Sequence, residues 1–199
     1  MKKFLLVSST ILITVLFLSC QKNSGSPSST NAIIGTWNFV SMNATTNAIL
    51  ESTQGAQTQK TITTSSYTTQ NNTGTVIIDA STMKTNNLSY SVNTTAKSYV
   101  YQNDVLTDSL ESPFSFTAPV SSSGVTYKYV SSDSIYFNNG TLFMNGVTQG
   151  TTPGGARIKS EGDMLYITQY VHETADHSVT GVTVTSDNSG TLVIALKRQ

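Results

Sequence analysis

Charge is scarce in this chain: Lys, Arg, Asp and Glu make up 11% of its 199 residues, and eleven basic residues cancel eleven acidic ones. Globular proteins usually carry about twice that proportion. Without a basic field there is nothing to release counterions from phosphate, which argues against a nucleic-acid partner and against an enzyme that gathers acidic substrates. Cysteine occurs once, so no intrachain disulfide is available. Tryptophan also occurs once and histidine twice. A sustained helical period is missing from every window of the chain. The one long apolar run lies at the N-terminus and is too short for a spanning helix.

Solubility therefore falls to neutral polar groups. Ser, Thr and Asn stand where Lys and Glu would stand in a cytoplasmic protein, and Thr favours strands over helices. Such a surface suits an extracytoplasmic β protein. Met1-Lys2-Lys3 is a short cationic start, and the apolar run from Phe4 to Leu18 ends at Ser19-Cys20. This is the anatomy of a secretory signal peptide, expected over residues 1–19. Leu16-Phe17-Leu18-Ser19-Cys20 resembles a bacterial lipobox, in which a small residue precedes a cysteine that receives a thioether-linked diacylglycerol and becomes the mature N-terminus. Phe17 departs from the usual Leu. The resemblance implies lipid attachment at Cys20, with acyl chains such as palmitate holding the protein on the membrane without a spanning segment. Gln21 is not Asp, which by resemblance to enterobacterial sorting rules favours the outer membrane, on its periplasmic or its cell-surface face. Residues 20–32, rich in Ser, Gly and Pro, read as a flexible tether.

The first apolar segment after the tether is Ile33-Ile34-Gly35-Thr36-Trp37-Asn38-Phe39-Val40. Alternation sets Trp37 and Phe39 on one face of a strand. Residues 43–59 read as a long polar connection of lid-like character. Asn71-Asn72-Thr73-Gly74 reads as a turn, and a break is expected at Asn86-Asn87. Pro113 and Pro119 bracket a short strand, Phe114-Ser115-Phe116-Thr117. Asn138-Asn139-Gly140 is a hairpin signal, with Thr141-Leu142-Phe143-Met144 as the returning arm. Met164 to Val171 is apolar on both faces, as a central strand would be. Roughly ten short strands joined by Asn, Gly and Ser turns predict an all-β domain over residues 33–199, a single antiparallel up-and-down meander. Closing into a barrel removes its edges and is preferred, with a β-sandwich as the alternative.

Ile34-Gly35-Thr36-Trp37 opening the first strand, and a final strand with a basic residue at its close, resemble the lipocalin-like lipoproteins of Bacteroidetes-type bacteria. That resemblance implies a lipocalin-like barrel closed at one end by Gly35 and Trp37, with the Arg198 guanidinium packed on the indole. It also implies a small hydrophobic or amphipathic ligand. Phe39, Tyr90, Tyr127, Tyr136, Phe143 and Tyr166 are the residues expected to face inward and contact it. The same rings could instead fill a narrow barrel and leave no cavity. The protein would then be a structural or interaction module, its Thr/Asn-rich loops meeting a surface protein or glycan.

Chemistry is thinly represented. His172 and His177, with Glu173 and Asp176 between them, lack the spacing of a metal site and read as a hairpin loop. There is no Gly-x-Ser-x-Gly elbow, and Asp187-Asn188-Ser189-Gly190, part of a calcium loop at most, reads as a turn. Asp108-Ser109-Leu110 and Asp133-Ser134-Ile135 resemble a short O-glycosylation acceptor pattern of exported Bacteroidetes-type proteins. The expectation is a monomeric, non-enzymatic envelope protein without metal or cofactor.

Overall fold

The computed structural model describes residues 32–138, 140 and 154–199. These form nine antiparallel strands and no helix: β1 (Gly35–Gln54), β2 (Gln57–Thr68), β3 (Gln70–Ile78), β4 (Thr82–Gln102), β5 (Val105–Ser131), β6 (Ser134–Phe137), β7 (Gly154–Glu161), β8 (Met164–Asp176) and β9 (Thr183–Arg198). They make one meander, and β1 pairs with β9 as well as with β2 and β3. A ring of hydrogen bonds therefore closes through eight strands, β1-β3-β4-β5-β6-β7-β8-β9. The sheet does not divide into the two layers of a sandwich.

β2 stands outside that ring. It continues the line of β3 but lies between the far halves of β1 and β4, pairing Asn43 with Thr68 and Gln59 with Gln102. The join is fixed at Thr69, which is buried. Its hydroxyl accepts the Met42 N–H at 2.8 Å, and its own N–H donates to the Met42 carbonyl at 2.9 Å. On β1 a register shift between Phe39 and Ser41 moves the inward parity, so Trp37, Phe39, Met42 and Ala44 all face the core.

The structure corrects several expectations about punctuation. Residues 43–59 are no loop: they form the second half of β1, a two-residue turn and the start of β2. Asn71 and Asn87 do adopt positive φ, but as irregularities inside β3 and β4 rather than as turns. Pro113 and Pro119 lie within the 27 residues of β5, an edge strand over most of its length, where a missing N–H leaves no ladder bond unmade. Residues 187–190 run straight through β9, paired on both sides. His172 belongs to β8, and the β8–β9 hairpin turns at Thr180-Gly181 instead. Thr and Ser make such long strands possible, since their β-branching and hydroxyl pairs suit a pleated surface that is wet on both sides.

The core fills the ring. Trp37, Ile78, Met83, Tyr90, Ile135, Phe137, Leu165, Ile194 and Leu196 each expose 1% or less and belong to one continuous cluster. Six strands continue past it in the order β8–β9–β1–β2–β4–β5, and one row crosses them all: Thr174, Asp187, Ile49, Ile62, Tyr99, Ser109. This extension is a single layer. Hydroxyl pairs mark the face continuous with the ring interior, Thr46 with Ser65 and Thr63 with Ser98. Ion pairs mark the other, Glu51 with Lys60 and Lys97 with Glu111.

Candidate functional site

At the closed end, Ile33 plugs the ring and accepts the Trp37 indole N–H on its carbonyl at 2.9 Å. Arg198 covers the indole, its guanidinium carbon 4.4 Å from the ring centroid, and donates to the carbonyls of Ala32 at 2.6 Å and Ile34 at 3.4 Å. Gly35 has φ near +145°, and a Cβ there would meet Arg198 Nη1 at 3.2 Å. Only glycine satisfies both the backbone and the arginine. Gly35, Trp37 and Arg198 are thus brought together from the two ends of the described chain.

The six candidate ligand contacts separate. Phe39, Tyr90 and Tyr127 face inward and are almost fully buried. Phe39 meets Tyr90 at 6.1 Å between centroids, and Tyr90 meets Phe116 edge-on at 5.9 Å. The Tyr127 hydroxyl donates to the Asp79 carbonyl at 2.5 Å. Burial, and secondarily the neighbouring Tyr67, pushes the Tyr90 pKa up to about 12. Burial raises that of Tyr127 further, with Tyr129 adding to it. Tyr136 and Tyr166 do not face inward: their neighbours Ile135, Phe137, Leu165 and Ile167 take the core face. Strand alternation sends both tyrosines outside, where the Lys128 ammonium sits 5.3 Å from the Tyr136 ring. Phe143 lies outside the described residues, as do Thr141 to Met144, Cys20, the leader and most of the tether.

Gln169 is a residue the sequence reading passed over. It sits in the buried row Gln169–Leu192–Ala44–Tyr67 at the upper rim of the core, its amide nitrogen beside Gly154. It is 3% exposed, and its Oε1 has no hydrogen-bond partner among the described residues. The signal was present: Leu165, Ile167, Gln169 and Val171 share one face of β8, so the glutamine interrupts an apolar row.

On the extension, a groove of about 700 Å³ is lined by Ile49, Glu51, Lys60, Thr174, Asp176 and Asp187 among others. Each charge in it has a local partner. Asp187 meets His172 Nε2 at 2.9 Å, Asp176 accepts the Ser178 N–H, and Glu51 faces Lys60. His177 meets the Ser186 hydroxyl at 3.3 Å. Among the described residues no three His, Cys, Asp or Glu side chains converge on a point that could hold a metal. The groove offers mixed polar and apolar contact, and the Ser186 hydroxyl that His177 meets is part of its lining. In comparisons with family models, curated proteins and solved structures, nothing matches the chain.

Proposed function

We propose that this protein is a lipid-anchored outer-membrane lipoprotein, held at Cys20, which works by contact and performs no catalysis. On this reading the ring is a solid base and the six-stranded extension is its working surface. The observation that carries the reading is a mismatch between strand length and core length. Among the described residues the inward rings of the base are packed, whereas β1, β4, β5, β8 and β9 run on together with both faces in water. A sheet that buries almost nothing adds little hydrophobic stability to its own fold. Its use is the area it presents. The leader pattern at Leu16 to Cys20 supports the anchor, and low charge with abundant Thr and Asn supports an extracytoplasmic setting.

A second reading, a small amphipathic ligand held by the barrel, is favoured by one observation, the buried carbonyl of Gln169, which has no partner among the described residues. It shifts the site from the packed aromatic rings to the rim of the core. Native mass spectrometry of the full chain from its own envelope separates the two. The contact reading expects the mass of the processed, lipidated chain, single or paired with a second copy, without a small-molecule adduct. A stoichiometric small-molecule adduct that is lost in Gln169→Leu would overturn it in favour of the ligand reading.

A further inference from the structure

We infer that two copies of this chain pair through the free edge of β5, antiparallel, about a two-fold axis at Leu110. The inference rests on reading the extension as a contact surface, and it names the partner.

β5 is paired with β4 from Thr126 opposite Thr82 to Val105 opposite Gln102. On its other side β6 occupies only Tyr127 to Ser131. Among the described residues nothing covers the remainder. Phe137 and Gly154 pair with each other at the level of Tyr127, about 56 Å along β5 from Leu110.

This edge is also where exposed apolar side chains collect: Val105 at 65%, Leu106 at 52%, Leu110 at 60%, Phe114 at 42% and Val120 at 67%. An apolar edge strand with open N–H and C=O groups is a template for another strand. Its outward amides can be assigned. Pro113 stands opposite Thr95 in an unbroken stretch of ladder, so its missing N–H points away from β4 and the odd-numbered residues from Ser109 to Thr117 face outward; the register shift at Thr107 reverses that parity beyond it. The Ser109 N–H agrees, donating at 2.7 Å to the exposed carboxylate of Asp108.

Charge and side-chain size choose the register. With the axis at Leu110, that residue meets the partner's Leu110, and the regular pairing runs from Asp108 to Ser112, because the register shift at Thr107 turns Leu106 to the opposite face of the sheet from Phe114. Asp108 faces the partner's Ser112, whose hydroxyl can replace the Ser109 N–H. Glu111 faces the partner's Ser109 and keeps its own Lys97 at 2.8 Å. An axis at Asp108 or at Glu111 would set identical carboxylates opposite each other, and one at Ser112 would set Asp108 against the partner's Phe116. Pro113 removes one ladder bond per strand and Pro119 limits the pairing beyond it. Because the interface is isologous, it closes at two copies.

The test is disulfide trapping in the full chain. Cys20 is the only natural cysteine, so the parent chain supplies the background. Leu110 and its even-numbered neighbours Asp108 and Ser112 form the close, non-hydrogen-bonded pairs of the new ladder, with Cα atoms about 4.5 Å apart, within disulfide range. Leu110→Cys in cell envelopes, mildly oxidised, is expected to give several-fold more dimer on a non-reducing gel than the parent. Ser115→Cys, whose copies would be about 34 Å apart, is expected to give none above background. Leu110→Lys should convert a sedimenting dimer to monomer with the β-sheet circular dichroism unchanged. No excess dimer from Leu110→Cys, or equal trapping at Ser115→Cys, would overturn the pairing. Cross-links from Lys60 to other envelope proteins, alongside a monomer in sedimentation, would sink the pair and leave the contact reading standing.

Discussion

Arg198 and Trp37 are joined twice: they are backbone partners across the β1–β9 ladder, and the guanidinium lies over the indole at 4.4 Å. The cation–π contact is worth about 1 kcal/mol at a partly exposed site, and the two bonds to the Ala32 and Ile34 carbonyls add to it. Arg198→Ala should cost about 1–3 kcal/mol in urea unfolding, followed through the fluorescence of the single tryptophan. Arg198→Lys should keep part of this, because an ammonium retains the charge but loses the planar fork. An unchanged midpoint in Arg198→Ala would show that the end is closed by Ile33 alone.

Gly74 marks where β3 crosses closest to β4. A Cβ there would lie 2.7 Å from the Asn87 carbonyl oxygen and from Leu88 Cα, with φ at +104°. Both offending atoms are backbone, so neither can rotate away. Gly74→Ala is expected to destabilise by about 2 kcal/mol or more, read from the thermal midpoint. A neutral result would mean that this irregularity relaxes freely.

Gln169 gives the opposite sign. An amide oxygen buried without a donor costs about 1–3 kcal/mol, and leucine fills a similar volume without that cost. Gln169→Leu should therefore raise the unfolding midpoint of the ligand-free protein. A fall would show that the amide is satisfied in solution, by water or by a guest, and would strengthen the ligand reading.

Tyr90 supplies the pH dependence. Its folded pKa lies near 12, above the value of about 10 in an unfolded chain. Between those values the unfolded state has released a proton that the folded state retains, so stability falls as pH rises. The contribution is fully present below pH 10 and lost on approaching pH 12, with Tyr127 acting in the same direction. Unfolding midpoints measured from pH 8 to 12 should decline over that window, less steeply in Tyr90→Phe.

The fold class was legible because alternation is a local property. Leu88, Tyr90 and Val92, or Leu192, Ile194 and Leu196, announce a half-buried strand whatever their neighbours do. Strand ends were not legible. Asn71 and Asn87 carry the same left-handed preference in a bulge as in a turn, and only the pairing partner decides which is formed. Residues 43–59 looked like a loop because the usual strand signal is burial, and this sheet has almost none to give. The aromatic rings divided for a related reason. Tyr136 and Tyr166 resemble core residues in type, yet Ile135 and Leu165 beside them hold the inward parity. Gln169 was hidden by its surroundings, since one polar residue in an apolar run reads as noise until its lack of a partner is seen.

The long strands join two ends with different tasks. The chain enters beside Arg198 at the closed end, while the β1–β2, β4–β5 and β8–β9 turns all lie at the far end. β1 alone spans 20 residues between them, about 65 Å when extended. A pull between those ends runs along the strands, so the ladder bonds are loaded side by side in shear. They must give way together, whereas a pull across the sheet would open them one at a time. Such a part behaves mechanically as a stiff post, able to pass tension from its tip to its base.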